Sequence, residues 1–209
     1  MTAPAAVPYA TLLAFARYVD RTGPAKATFV GGLRRQRESR SGFNPHSQLV
    51  KALKADISFH GGGRFLHEVV NEVKPRWRPL YESLVPGALT YLSTLDKGTE
   101  LAQTRDAIAM VGDLPVKINP HFGLRLPDGR GEAVRLHLDE QPPSRETILA
   151  TLHLMSRHMD AVLPHGSPVL VDVRRGIAHR PDPSVKAEQL DQWLAGEAAA
   201  FRATWSVAA

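Results

Sequence analysis

After Gly112 the hydrophobic period of this chain changes from helical to two-fold, and that switch constrains the fold more than any other feature. Upstream, Tyr9, Leu12, Leu13, Ala16 and Val19 share one helical face, which Gly23-Pro24 ends. Pro24 can open a second helix carrying Phe29, Val30 and Leu33. Its Gly31-Gly32 pair costs roughly 1 kcal/mol per glycine against alanine, so this helix is either weak or closely packed. Asn44-Pro45 is an N-cap and first-turn pair for a helix with Leu49, Val50, Leu53 and Ile57. Beyond the break His60-Gly61-Gly62-Gly63, the residues Phe65, Leu66, Val69, Val70 and Val73 repeat at helical spacing until Pro75. A helix over about 79–95 should be bent or divided by Pro86-Gly87, and Thr99 can cap one more, through about Met110.

Downstream the apolar residues alternate: Val116 and Ile118, then Phe122, Leu124 and Leu126, then Val134, Leu136 and Leu138. Pro127-Asp128-Gly129-Arg130-Gly131 reads as a hairpin turn between the last two runs. Ser144 caps a helix whose Ile148, Leu152, Met155, Met159 and Val162 form an amphipathic stripe. Pro168–Val173 is a short buried-type strand, and Ser184 caps a final helix with Leu190, Trp193, Leu194, Phe201 and Trp205. The expected fold is therefore mixed α/β: an N-terminal helical part plus a small sheet of three to five strands flanked by helices. A basic helical region over 1–98 and an α/β region with a C-terminal helix over 99–209 are expected to pack as one body.

Zero cysteines remove disulfides, Cys-ligated zinc, iron–sulfur clusters and thiol catalysis. No run of apolar residues is long enough to span a bilayer. The first twenty residues have neither a basic start nor a small-residue cleavage site, which argues against a secretory signal and makes the cytoplasm the default location. No membrane partner and no cofactor is implied.

Charge is distributed unevenly. Residues 1–80 hold 13 Lys/Arg against 5 Asp/Glu, whereas residues 81–209 hold 13 against 16. That pattern suggests a basic surface on a near-neutral body, with nucleic acid or an acidic protein surface as its partner. The candidate phosphate contacts are Arg34, Arg35, Arg37, Arg40, Lys51, Lys54, Arg64, Lys74, Arg76 and Arg78. Trp77 and Phe43 can either stack on unpaired bases or anchor helix ends in the core. The alternative to a binding role is a solvated helix layer, and a GC-rich genome alone would enrich arginine over lysine. The leading expectation is a non-enzymatic, nucleic-acid-associated accessory protein. The alternatives are a metal-dependent nuclease and a protein–protein adaptor whose arginines meet an acidic partner.

Catalytic signals are few. His60-Gly61-Gly62-Gly63 spells the oxyanion loop of some esterases, yet no Gly-x-Ser-x-Gly accompanies it. P-loop and dinucleotide fingerprints are absent, and none of the nine histidines has a zinc spacing, so no metal site is assigned. Glu72-Val73-Lys74 with Asp56 can imitate a nuclease constellation of two carboxylates and a lysine, although one acid-x-Lys triplet is about what chance supplies. Asp139 and Glu140 are the other carboxylates that can meet a cation.

From Thr99 to His179 the expected order of elements is helix, three strands, helix, strand. That order resembles the core of the PD-(D/E)XK nuclease-like superfamily. The family carries a metal-binding acid on its second strand and an acid-x-Lys triplet on its third. Here Phe122–Leu126 has no acid before Asp128, and the third strand presents Arg135, His137 and Asp139 at its outward positions. The resemblance covers about eighty residues, rests on order without motif, and implies a scaffold that has lost cleavage and kept binding or assembly. An independent three-strand sheet with flanking helices fits the same string.

Overall fold

The computed structural model describes residues 8–39 and 44–207, and the chain is mixed α/β. A two-residue strand, β1 (Ala10–Thr11), runs into α1 (Leu12–Val19), where the Thr11 hydroxyl caps the helix by accepting from Ala14 N–H. α2 (Pro24–Glu38), α3 (Ser47–Ser58), α4 (Arg64–Glu72), a 3₁₀ turn (Pro75–Trp77) and α5 (Arg78–Ser93) follow. Five strands come next: β2 (Glu100–Ala102), β3 (Ala107–Val111), β4 (Leu114–Ile118), β5 (Phe122–Arg125) and β6 (Gly131–His137). The chain then forms α6 (Arg145–Ser156), the single turn α7 (Met159–Val162), β7 (Gly166–Asp172), β8 (Ile177–His179) and α8 (Ala187–Val207).

Several local expectations need correction. Residues 99–110 form β2 and β3 where a helix was expected, so the element order behind the nuclease-like resemblance does not begin with a helix there. In β3 the small residues Ala107 and Ala109 face the core while Ile108 and Met110 are 61% and 62% exposed, an inversion that hides the two-fold period. Asn44 does not cap α3. Its side chain accepts from His46 N–H in a turn, and the helix starts three residues later. The stripe from Ile148 to Val162 divides at His158, whose ring bonds the Leu154 carbonyl and so occupies the last turn of α6. Ser184 sits in the turn before α8, its N–H bonded to the Asp182 side chain.

The strands make two sheets: β1-β4-β3, and a larger one ordered β2-β5-β6-β7-β8. β5 and β6 pair antiparallel across the 127–131 turn, as the hairpin signal indicated. β6 and β7 pair parallel, which demands the long crossover that α6 and α7 supply. Two hydrophobic cores result. One packs α1, α2, α6 and α8 with the smaller sheet around Phe15, Tyr18, Met155 and Phe201. The other packs α3, α4 and α5 on the larger sheet around Leu53, Leu66, Tyr81, Leu84 and Val169. Strand β6 serves both, with Ala133 in the first core and Val134 and Leu136 in the second. Each core draws on residues before and after position 98.

α5 runs unbroken through Pro86. The apolar residues Leu84, Val85, Ala88 and Tyr91, on both sides of the proline, are buried in one core and hold the element together. Gly87 lets α5 lie against the β7–β8 turn, because a Cβ there would stand 2.0 Å from the Val173 carbonyl oxygen. That neighbour is backbone and cannot rotate away. Gly87→Ala is expected to cost about 1–3 kcal/mol or more, read as a lower denaturation midpoint. A variant as stable as the wild type would refute this close approach.

Candidate anion-binding cleft

An open cleft of about 870 Å³ lies between α1, α2 and the edge of the segment that carries β6. Its titratable lining residues are Arg17, His46, His121, Arg135 and Asp139, and Asn119 lies among them. A smaller recess of about 80 Å³ shares Arg17, Arg135 and Asp139 with it. The opposite wall, from α1 and α2, is largely apolar and includes Leu13, Phe29 and Leu33.

Each polar group reaches the cleft for a local reason. Arg135 sits on β6 opposite the face that carries Val134 and Leu136, and since both faces are covered it is only 7% exposed. Its Nη1 donates to the Asn119 carbonyl at 2.6 Å, and no carboxylate lies within ion-pair distance of it among the described residues. The connection 119–121 is zipped to β6: His121 N–H donates to the Val134 carbonyl, and Leu136 N–H donates to His121 Nδ1 at 2.9 Å. His46 is set by the turn before α3, which Tyr81 of α5 secures by donating from its hydroxyl to the Pro45 carbonyl at 2.8 Å. Arg17, in the last turn of α1, forms a two-pronged ion pair with Asp139 just past β6; its Nε lies 2.9 Å from Oδ2.

The electrostatics follow from burial. Arg135 is pulled down to about 10, by loss of water first and by the neighbouring Arg17 second, yet stays a cation at neutral pH. His121 is pushed down to about 3 by burial, with Arg135 and His46 adding to the shift. Burial also lowers His46, against the opposing pull of Asp139. Burial would raise Asp139, but the hydrogen bonds and charge of Arg17 outweigh it and leave its carboxyl low. At neutral pH the cleft therefore holds two guanidiniums, one carboxylate and two uncharged imidazoles. Buried charges are ordinarily paired. Arg135 is not, and that makes the cleft a candidate receptor for an anion.

The residues singled out from the sequence lie elsewhere. Arg34, Arg35 and Arg37 are on α2, which packs on α8. Arg34 bonds Glu38, and the Arg37 guanidinium lies over the rings of Tyr9 and Trp205 at 3.7 and 4.6 Å. Arg40 and Phe43 fall outside the described residues. Lys51, Lys54, Arg64, Lys74, Arg76 and Arg78 belong to the α3–α5 layer over the larger sheet, so the two basic groups occupy separate helix layers. Trp77 packs against the second core with Arg76 over its ring. None of the described members of the set lines the cleft.

The other constellations have structural work. Asp56 is not set for a metal: Oδ1 accepts from Gly63 and Phe65 N–H, and Oδ2 accepts from Leu66 N–H at 2.9 Å. Within His60–Gly63 the Gly63 N–H is committed to Asp56 Oδ1 and the Gly61 N–H to the Asp56 carbonyl, so an oxyanion loop there would compete with this cap. Glu72 and Lys74 lie at the exposed end of α4, outside any strand. Asp139 is held by Arg17, and the Glu140 carbonyl accepts from Arg175. Among the described residues no group of three or more His, Asp or Glu side chains is placed to hold a metal ion. Nor is any described helix long and apolar enough to cross a membrane.

No protein-family model matches this chain, and no curated protein or solved structure resembles it significantly.

Proposed function

We propose that this protein is a non-enzymatic, nucleic-acid-associated accessory protein that holds phosphate in the α1–α2–β6 cleft, with Arg135 as the principal contact and Arg17 beside it. The observation that carries this reading is the buried Arg135 guanidinium, which lines an open cleft and has no carboxylate within ion-pair distance among the described residues. A planar guanidinium offers paired donors to phosphate oxygens, and a site shielded from water strengthens that attraction. Arg34, Arg35 and Arg37 lie on α2 outside the cleft lining and contribute to the reading only the long-range positive charge of that helix.

The test is Arg135→Met, titrated by fluorescence anisotropy against DNA and RNA oligonucleotides between about 50 mM and about 200 mM salt. Binding should fall at least about tenfold, or about 1.4 kcal/mol. The same variant should still fold cooperatively, since the removed desolvation of the guanidinium offsets the Asn119 carbonyl's lost donor, and its melting curve is recorded beside the titration so that lost binding is separated from lost folding. Wild-type protein that binds no nucleic acid, or a variant that binds as tightly, would overturn the reading. Retention of an acidic protein by Arg135 after nuclease treatment would move it to the adaptor alternative.

A further inference from the structure

Resting on the phosphate reading above, we infer that the cleft seats a single strand, with one internal phosphodiester on Arg135 and an adjoining base against the wall formed by Leu13, Phe29 and Leu33. Three independent observations carry the choice of a single strand over a duplex or a phosphorylated end.

The first is burial. Arg135 is on the middle strand of the five-stranded sheet, is 7% exposed, and lines the open cleft and the small recess beside it. A duplex carries its phosphates on a stiff convex rim, which suits exposed cations better than a side chain covered to this extent. A flexible single strand can thread a groove and present its backbone to it.

The second is charge. Among the lining residues the carboxylate of Asp139 is engaged by Arg17 and the two imidazoles are uncharged at neutral pH, which leaves one net positive charge. An internal phosphodiester carries one negative charge and matches it. A terminal phosphate carries about −1.5 to −2 at neutral pH and would leave a buried surplus.

The third is the wall. Leu13, Phe29 and Leu33 face the cleft opposite the polar floor, and an unpaired base has an apolar face for such a surface. Between them, Gly32 lines the cleft, and a Cβ built there meets no atom within 4 Å. The glycine keeps this space open without being required by the backbone, since it lies in the interior of α2 with ordinary helical geometry.

That open position supplies the decisive variant. Gly32→Leu fills the cleft from a helical site where leucine is favoured over glycine, so the fold should be retained or strengthened. The experiment titrates wild type and Gly32→Leu with labelled oligonucleotides of about 12 nucleotides, single-stranded and duplex, each with and without a 5′-phosphate, and records the melting temperature of both proteins. The wild type should bind the single strand at least about tenfold more tightly than the duplex. The 5′-phosphate should change that affinity by less than about twofold. Gly32→Leu should lose single-strand binding at least about tenfold while melting no earlier. Equal or tighter duplex binding, dependence on the terminal phosphate, or a folded Gly32→Leu protein that binds like the wild type would each overturn the single-strand inference. A Gly32→Leu protein that melts early moves the test to Thr28→Leu on the exposed rim of the same wall, where unchanged binding overturns it equally. Failure of the wild type to bind any of the oligonucleotides would instead sink the phosphate reading beneath it.

Discussion

Asp56→Ala should destabilise the protein by about 3 kcal/mol or more, the largest loss expected from any single side chain described above. The carboxylate is 1% exposed, and its two oxygens accept three backbone N–H groups at the start of α4. The first amides of a helix have no partner within the helix. Here the glycine turn leaves no capping side chain of its own, since Gly63 precedes the helix with φ of 97°. Asp56 reaches over from α3 to do the capping, which ties two helices of the second core together. Alanine would bury those N–H groups without acceptors, and each such group costs about 1–3 kcal/mol. Asp56→Asn should lie between the two, because it keeps the acceptor for Gly63 and Phe65 but turns an NH₂ toward Leu66 N–H. Denaturant titration with an unchanged slope measures the loss. An alanine variant within about 1 kcal/mol of wild type would show that the cap is dispensable. A carboxylate serving a metal would instead give a loss of stability that appears only when Mg²⁺ is present.

Acid should weaken the fold through His121. Its imidazole is held neutral with a pKa near 3, against an ordinary value of 6.5, chiefly by burial. Above 6.5 neither the folded nor the unfolded chain binds a proton there, so the contribution to stability is fully present. As the pH falls below 6.5 the unfolded chain takes up a proton that the folded chain refuses, and stability drops by about 1.4 kcal/mol per pH unit until about pH 3. By pH 4 the loss from this residue is about 3 kcal/mol. His121→Asn keeps an acceptor for Leu136 N–H and cannot titrate. The difference in unfolding free energy between wild type and variant should therefore shrink or reverse from pH 6.5 to pH 4. Parallel profiles would show that His121 does not carry the acid sensitivity.

The fold was legible where burial followed the ordinary sense of the residues. The hairpin between β5 and β6 and the amphipathic face of α4 show apolar residues inward at the expected period, whereas α6 is buried over Ala150–Met155 on more than one face and leaves Ile148 only half-buried. It was not legible in β3, where alanines face in and larger apolar residues face out, a pattern that tertiary packing sets and local periodicity cannot report. The cleft was missed for a related reason. Along β6, alternation suggests that Arg135 and His137 face water, but the parallel crossover through α6 and the return of α1 cover that side as well. A strand buried on both faces turns a polar residue from a surface ornament into a committed site. Arg17, His46 and His121 join Arg135 only through contacts far apart in the chain. Counting charge by segment pointed to α2 and the α3–α5 layer and overlooked a guanidinium beyond residue 98.

Because β6 is the common wall of both cores, the protein has little room to loosen one half while keeping the other. A disturbance that frees Ala133 from one side also shifts Val134 and Leu136 on the other, one residue away along the same backbone. The charge asymmetry between the ends of the chain therefore does not mark a mechanical joint. Melting should proceed as one cooperative event, with the seat of Arg135 among the last parts to come apart.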